Sequence, residues 1–332
     1  MKKTIKVKFL DFWKSFEIEK SIFYQVLSEH YDVQICEDAD YIIYSSFDDQ
    51  ICYEPENKAI KIFYTGEQEA PNFNVCDYAM AFEHMALGDR YFRLPVYYNS
   101  DFYRDEALKM ESKHLNITDL ASLGKTDFCS FVVSNPRGTG SVLRAKMFDM
   151  LSKYKKVNSG GRYLNNIGGP VADKLAFESK HKFSICFDNC KYRGYTTEKL
   201  VEAFAARTVP IYWGDPEVFK VFNPKAFINV MDFDSVDAAI ERIIEIDQND
   251  ELYLQMLREP ALLSEDDMYH NVYKRFSEWL CHIVDQPIEE ARRTGDGFWH
   301  CEYYWKQRAY KEAYMNPLRT FLSRFKKQIF KK

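Results

Sequence analysis

The chain of 332 residues has no Cys-x-x-Cys pair, and its eight cysteines are scattered without a partnering histidine cluster. That spacing excludes a zinc ribbon and reads as reduced thiols rather than as a disulfide framework. Glycine and proline are scarce, at 13 and 11 residues, which excludes collagen-like and low-complexity chains. No apolar run approaches the roughly 20 residues that cross a bilayer as a helix. The start carries Lys2 and Lys3 as a secretory leader would, but Lys6, Lys8 and Asp11 interrupt any apolar core. No signal peptide and a cytoplasmic location are therefore expected. Positive charge is also short, because 45 Lys and Arg face 50 Asp and Glu, a net −5. The deficit is uneven: residues 301–332 hold nine basic and two acidic side chains, so the rest of the chain carries −12. An acidic body repels a polyanion, and no nucleic-acid partner is expected.

Apolar residues, in contrast, make up 46% of the chain and aromatic ones 16%. Flat rings suit sugar and base faces, although most Phe in a large domain fills core. The length exceeds what one core usually organises, so two domains are expected. Thr4 to Leu10 reads as a strand, and Ile18, Ile22, Phe23, Val26 and Leu27 space a helix over Phe16 to His30. Short β-rich runs follow at Asp32–Cys36, Tyr41–Ser45, Ala59–Tyr64 and Tyr78–Phe82. Glu111 to Asp127 is polar and aperiodic and reads as a linker. Beyond it the α/β pattern restarts with strands at Phe128–Val133, Phe183–Phe187, Val209–Trp213 and Phe227–Val230. Helices are expected at Val142–Tyr154, Ala172–Lys180, Thr197–Arg207, Ala238–Ile246 and Tyr273–His282. Two successive α/β units imply two sheet domains facing a cleft.

Ligands of such sheets bind beyond the carboxyl ends of the strands, where helix N-termini attract anions. The loop Ser134 to Gly140 and Arg144 could cradle a phosphate, or form a solvated loop with a surface Arg. Leu143 stands where a third glycine would complete a dinucleotide fingerprint, so that motif fails. After the strand Phe183–Phe187, Thr196 or Thr197 can cap a helix whose first turn holds Glu198 and Lys199. A lysine there opposes the helix dipole unless an anion faces it, or else it extends into water. Glu67 follows a strand and a flexible glycine; it could take a proton from a sugar hydroxyl or remain a solvated loop acid. The triplets Asp38-Ala-Asp40 and Asp232-Phe-Asp234 read as turns, so no metal site is assigned. In the tail, Leu318, Phe321, Leu322, Phe325 and Ile329 form one stripe opposite Arg and Lys. That stripe fits an anionic membrane surface, or a helix docked on its own protein.

The run Phe183 to Phe233 (FSICFDNCKYRGYTTEKLVEAFAARTVPIYWGDPEVFKVFNPKAFINVMDF) resembles the donor-binding block of the α-1,3-fucosyltransferases, glycosyltransferase family 10, in its bacterial form. FYTGEQEAPNFNVCDYAMAF, DRYFRLPVYY and FCSFVVSNPRGTGSVLRAKMF are similar to the same family. The resemblance implies a GT-B fold with an acceptor-binding domain at 1–124, a GDP-fucose-binding domain at 125–300 and a basic amphipathic tail at 301–332. It implies inverting transfer of L-fucose from GDP-β-L-fucose to the 3-OH of GlcNAc or Glc in N-acetyllactosamine or lactose, giving Lewis x type glycans. By position it puts Arg144 and Lys199 on the diphosphate, Glu198 on the ribose, Tyr195 and Asn189 in the donor pocket, and Ser134 and Asn135 near the nucleotide. Glu67 corresponds to the catalytic base. No metal is needed for the chemistry, though Mg²⁺ or Mn²⁺ can assist GDP release. Asp188, where many relatives have Glu, and the insertion-like Gly138-Thr139-Gly140 depart from the family pattern. The expected location is cytoplasmic and peripheral to the inner membrane. Another GDP-sugar transferase, or a non-catalytic glycan- or nucleotide-sugar-binding protein, is the alternative.

Overall fold

The structure is a computed structural model that describes residues 2–48, 50–53, 58–98, 101–295 and 309. The basic tail at 301–332 therefore lies outside the described residues, Ala309 apart. The six cysteines whose side chains are described are free thiols. Contacts divide the chain into two interleaved units. The first joins Met1–Ala81, Met85–Phe92 and Ser277 onward; the second joins Phe82–His84 with Arg93–Phe276.

The first unit has a six-stranded sheet, β2-β1-β3-β4-β5-β6. Its strands are β1 (Thr4–Leu10), β2 (Asp32–Ile35), β3 (Tyr41–Tyr44), β4 (Ile60–Tyr64), β5 (Tyr78–Ala81) and β6 (Tyr91–Arg93). The pairs among β1 to β5 are parallel. Both β3 and β4 are buried along their full length, as inner parallel strands are, and in β4 that includes the charged Lys61. The expected helix at Phe16 starts later, as α1 (Ile22–His30), because extended Ser21 ends a preceding 3-10 turn and its Oγ accepts the Tyr24 N–H at 3.3 Å. The C-terminal segment completes this unit. Lys3 Nζ and Tyr41 OH both donate to the Val284 carbonyl, at 2.8 and 3.2 Å, and Tyr31 OH donates to Asp285 at 2.9 Å. Buried Asp77 accepts from the backbone of Arg293 and Thr294, both at 2.7 Å, and from Lys61 N–H at 2.8 Å.

The second unit contains α2 (Asp101–Glu111) and carries an all-parallel sheet, β11-β10-β9-β7-β8. Its strands are β7 (Asp127–Phe131), β8 (Val157–Ser159), β9 (His181–Phe187), β10 (Val209–Trp213) and β11 (Ile228–Asn229). Helices α3 (Ser141–Tyr154), α4 (Lys174–Glu178), α5 (Glu198–Ala205), α6 (Val236–Gln248) and α7 (Asp250–Arg258) alternate with or follow these strands. Phe131, Phe183, Ile185 and Ile211 pack with Met147, Leu151, Ile243 and Leu257 in one core. Each such side chain contributes roughly 1.5–3 kcal/mol on full burial. Two further helices are α8 (Tyr269–Asp285) and α9 (Ile288–Ala291), and the division between the units falls inside α8.

The polar stretch 111–127 is no free linker. Lys113 is buried and donates to the Met256 and Leu257 carbonyls at 3.4 and 3.2 Å, while Ile117 joins the core of the second unit. Aperiodic sequence concealed this because the anchors come from α7, far along the chain.

Candidate active site

Strand order places β10, β9 and β7 side by side and parallel, so the loops after them leave the same sheet edge. Gly138 and Gly140 let the first loop lie directly on the second. A Cβ on Gly138, whose φ is +103°, would sit 2.4 Å from the Asn189 carbonyl oxygen. One on Gly140 would sit 2.6 Å from the Trp213 ring and 2.9 Å from the Asp188 carbonyl oxygen. Gly140 N–H then donates to Asn189 O at 3.0 Å. The segment that resembled an insertion is thus a contact surface between loops.

Arg144, in the first turn of α3, is not a surface residue. It is fully buried, with Nε donating to Phe187 O at 3.2 Å, Nη1 to Asn135 O at 3.3 Å and Nη2 to Asn189 Oδ1 at 2.7 Å. Burial pushes its pKa down, while Asp188 and Glu198 oppose the shift. The guanidinium therefore fixes the end of β9 and both loops.

Asp188 is equally buried. Thr197 Oγ1 and Tyr212 OH both donate to its carboxylate, the latter at 2.7 Å. Burial pushes this carboxyl up to about 6, with Lys199 and the two hydroxyls opposing. Thr197 is the N-cap residue of α5, yet its hydroxyl turns to Asp188 rather than to the helix N–H groups. Tyr212 OH accepts from Asp215 N–H at 2.8 Å. The Asp215 carboxylate accepts from Gly194 N–H at 2.7 Å and Thr196 Oγ1 at 3.1 Å. This chain of bonds sets the backbone that leads into α5.

At that helix start, Lys199 Nζ lies 2.9 Å from Glu198 Oε1 and 3.2 Å from Thr197 Oγ1. Burial alone would raise the Glu198 carboxyl, but Lys199 and Lys174 hold it down to about 2. Lys174 in turn pairs with Glu202 and, at 3.8 Å, with Glu178. Arg144, bonded to Asn189, and Lys199, bonded to Thr197 and through it to Asp188, thus reach the adjacent residues Asp188 and Asn189 from two sides.

Of the remaining expected residues, Ser134 and Asn135 are exposed on the loop after β7. Ser134 Oγ accepts from Arg162 N–H at 3.4 Å. Tyr195 is buried, its ring 5.0 Å from Phe82 in a small cluster with Val96. Glu67 belongs to the first unit, exposed just beyond β4. Its turn is set by Thr65 Oγ1, which accepts from Glu67 N–H and donates to Glu67 O, both at 3.0 Å. Among the described residues, no group of three or more His, Cys, Asp or Glu side chains forms a metal cluster. Sequence reasoning passed over Tyr212, Asp215 and Lys174. The Trp213-Gly214-Asp215-Pro216 turn signal was present, but its partner loop was not identifiable from it.

The chain is similar to a crystal structure of an α1,3-fucosyltransferase at 31% identity, covering 90% of this chain and 93% of that one, with a TM-score of 0.75. A second such structure, with GDP-fucose, matches at a TM-score of 0.71 and 31% identity over 86% of this chain and 92% of that one. The fold is accordingly the two-domain α/β class called GT-B, ending in helices as expected. The family model for the glycosyltransferase family 10 (fucosyltransferase) C-terminal region matches residues 123–296, and that for the α-(1,3)-fucosyltransferase N-terminal domain matches 7–100. The chain belongs to glycosyltransferase family 10. It is also 35% identical over 300 residues to the α-(1,3)-fucosyltransferase of Helicobacter pylori, covering 79% of this chain and 61% of that protein. The chain thus spans about three fifths of that relative's length.

Proposed function

We propose that the protein is an α-1,3-fucosyltransferase that moves L-fucose from GDP-β-L-fucose, with inversion, to the 3-OH of GlcNAc or Glc in N-acetyllactosamine or lactose. The likeness to an α1,3-fucosyltransferase crystallised with GDP-fucose carries this reading. The cations gathered beyond β7 and β9 support it. In the reaction, Glu67 takes the acceptor hydroxyl proton, the oxygen attacks the fucose anomeric carbon, and the bond to GDP breaks. Lys199, oriented by Glu198 and Thr197, meets the departing diphosphate. Arg144 fixes the loops around the nucleotide and adds positive charge. Ser134, Asn135, Asn189 and Tyr195 shape the donor pocket, and Glu198 accepts from the ribose. Two fixed cations supply the charge stabilisation, so the chemistry requires no metal, and Mg²⁺ or Mn²⁺ could do no more than assist GDP release. The basic tail would hold the enzyme at the cytoplasmic face of an anionic membrane.

Incubation with GDP-fucose and lactose, type 1 and type 2 acceptors, with the new linkage located by NMR, tests the reading. An α-1,3 linkage on type 2 or lactose acceptors is expected. Transfer from another GDP-sugar only, or GDP binding without turnover, overturns it.

A further inference from the structure

The first unit gathers aromatic rings at the carboxyl ends of β1, β3 and β4. Phe12, just past β1, stacks on Phe16 at 3.9 Å and lies parallel to Tyr64 at 6.2 Å. Tyr64 ends β4, two strands away in the sheet, and precedes Glu67 by one turn. Trp13 meets Phe16 edge-on at 5.0 Å and Phe47, from the loop after β3, at 5.6 Å. Exposure rises outward. Tyr64 is buried, Phe12, Trp13 and Phe16 are half-buried, and Phe47 is 45% exposed.

The outer rings are held in place before any ligand arrives. Buried Asp11, with φ at +59°, accepts from the backbone N–H groups of Gln50 and Ile51 at 2.8 and 2.9 Å. Its own carbonyl accepts from Phe47 N–H at 2.9 Å. One carboxylate therefore pins the Trp13 and Phe47 loops together, so little ordering cost remains for binding. Exposed Lys14, Ser15 and Asp48 belong to the same loops, and exposed Glu67 and Gln68 to the loop after β4 at the same sheet edge. Flat rings with charged and hydroxyl groups around them match a pyranose, which has a C–H face and a rim of hydroxyls. A lipid or an apolar peptide would leave those charges unmatched.

We propose that Trp13 and Phe47 form the stacking floor for a pyranose ring of the acceptor glycan, on the sheet edge that carries Glu67. The inference rests on the transferase reading above and names where its acceptor is recognised. The test uses Trp13→Ala, Trp13→Phe and Phe47→Ala in the full chain, with melting temperatures confirming folding. Trp13→Ala should raise the acceptor KM about tenfold or more, the worth of one aromatic contact, while the KM for GDP-fucose stays nearly constant. Trp13→Phe should recover most of the loss, and Phe47→Ala should show the same split should Trp13→Ala fold poorly. A wild-type acceptor KM in both alanine variants overturns the proposal.

Saturation-transfer NMR with methyl β-galactoside, methyl β-N-acetylglucosaminide, lactose and N-acetyllactosamine separates this from failure of the transferase reading. Sugar binding that Trp13→Ala abolishes, in a chain that transfers no fucose, supports the floor and removes the activity. Transfer by wild type and both alanine variants alike removes the floor alone.

Discussion

Replacing Lys199 by Ala probes whether the first turn of α5 holds a diphosphate. In the free chain the ammonium is 2.9 Å from Glu198 Oε1 and its side chain is 15% exposed. Two unit charges about 4 Å apart at an effective dielectric near 20 attract by about 4 kcal/mol. Glu198 already draws on part of that attraction, so the net effect should fall to the worth of a charge-assisted hydrogen bond, about 1.5–3 kcal/mol. GDP should then bind about 10- to 150-fold more weakly. Removing the ammonium also leaves the Glu198 carboxylate beside the incoming phosphates, which pushes the loss toward the upper figure. Isothermal titration with GDP, GMP and guanosine reads this out. The penalty should shrink from GDP to GMP and vanish with guanosine, and Lys199→Arg should restore part of it. An equal penalty for guanosine and GDP would refute the phosphate contact and leave Lys199 as a prop for Glu198.

Glu67→Gln should lower kcat by about 10² to 10⁴, the usual worth of a general base, with GDP affinity unchanged; near-normal turnover removes Glu67 from that role. Gly140→Ala forces a Cβ to within 2.6 Å of the Trp213 ring. The overpacking should cost about 1–3 kcal/mol, seen as a lower melting temperature together with weaker GDP binding. An unshifted melting curve counts against the close loop contact. Lys113 titrates near 7, lowered by burial with Glu259 opposing. Below pH 7 the folded chain must bury a charged ammonium, whereas between pH 7 and about 10.4 only the unfolded chain holds the proton, so stability rises with pH across that interval. Lys113→Met should therefore raise the melting temperature at pH 6 and raise it less, or lower it, at pH 9. The same shift at both pH values would mean the ammonium is not desolvated.

Much of the site was legible because its parts are local. The apolar run Phe183–Phe187 became the inner strand β9, and Thr197-Glu198-Lys199 opened a helix as its residue types suggested. The burial of Arg144 was not legible, since its acceptors lie on β9 and on two loops that only the strand order β10-β9-β7 brings together. The same holds for Asp188, whose partners Thr197 and Tyr212 come from a helix start and a neighbouring strand. Strands β6 and β8, three residues each, were too short for a period to register. The stretch read as a linker, which holds Lys113, misled in the other direction. A lysine in a polar stretch reads as solvated, and only the carbonyls at the end of α7 account for its burial.

The bonds from Lys3, Tyr31, Tyr41 and Asp77 to residues between 284 and 294 carry a consequence for biosynthesis. A ribosome delivers the amino end first, yet the residues in and beside those early strands wait for acceptors and donors encoded more than 200 codons downstream. The second unit, which has emerged whole by then, can close first, and the opening sheet is finished last. Released fragments truncated between residues 277 and 283 should therefore remain protease-sensitive in their amino-terminal portion while the later portion already resists.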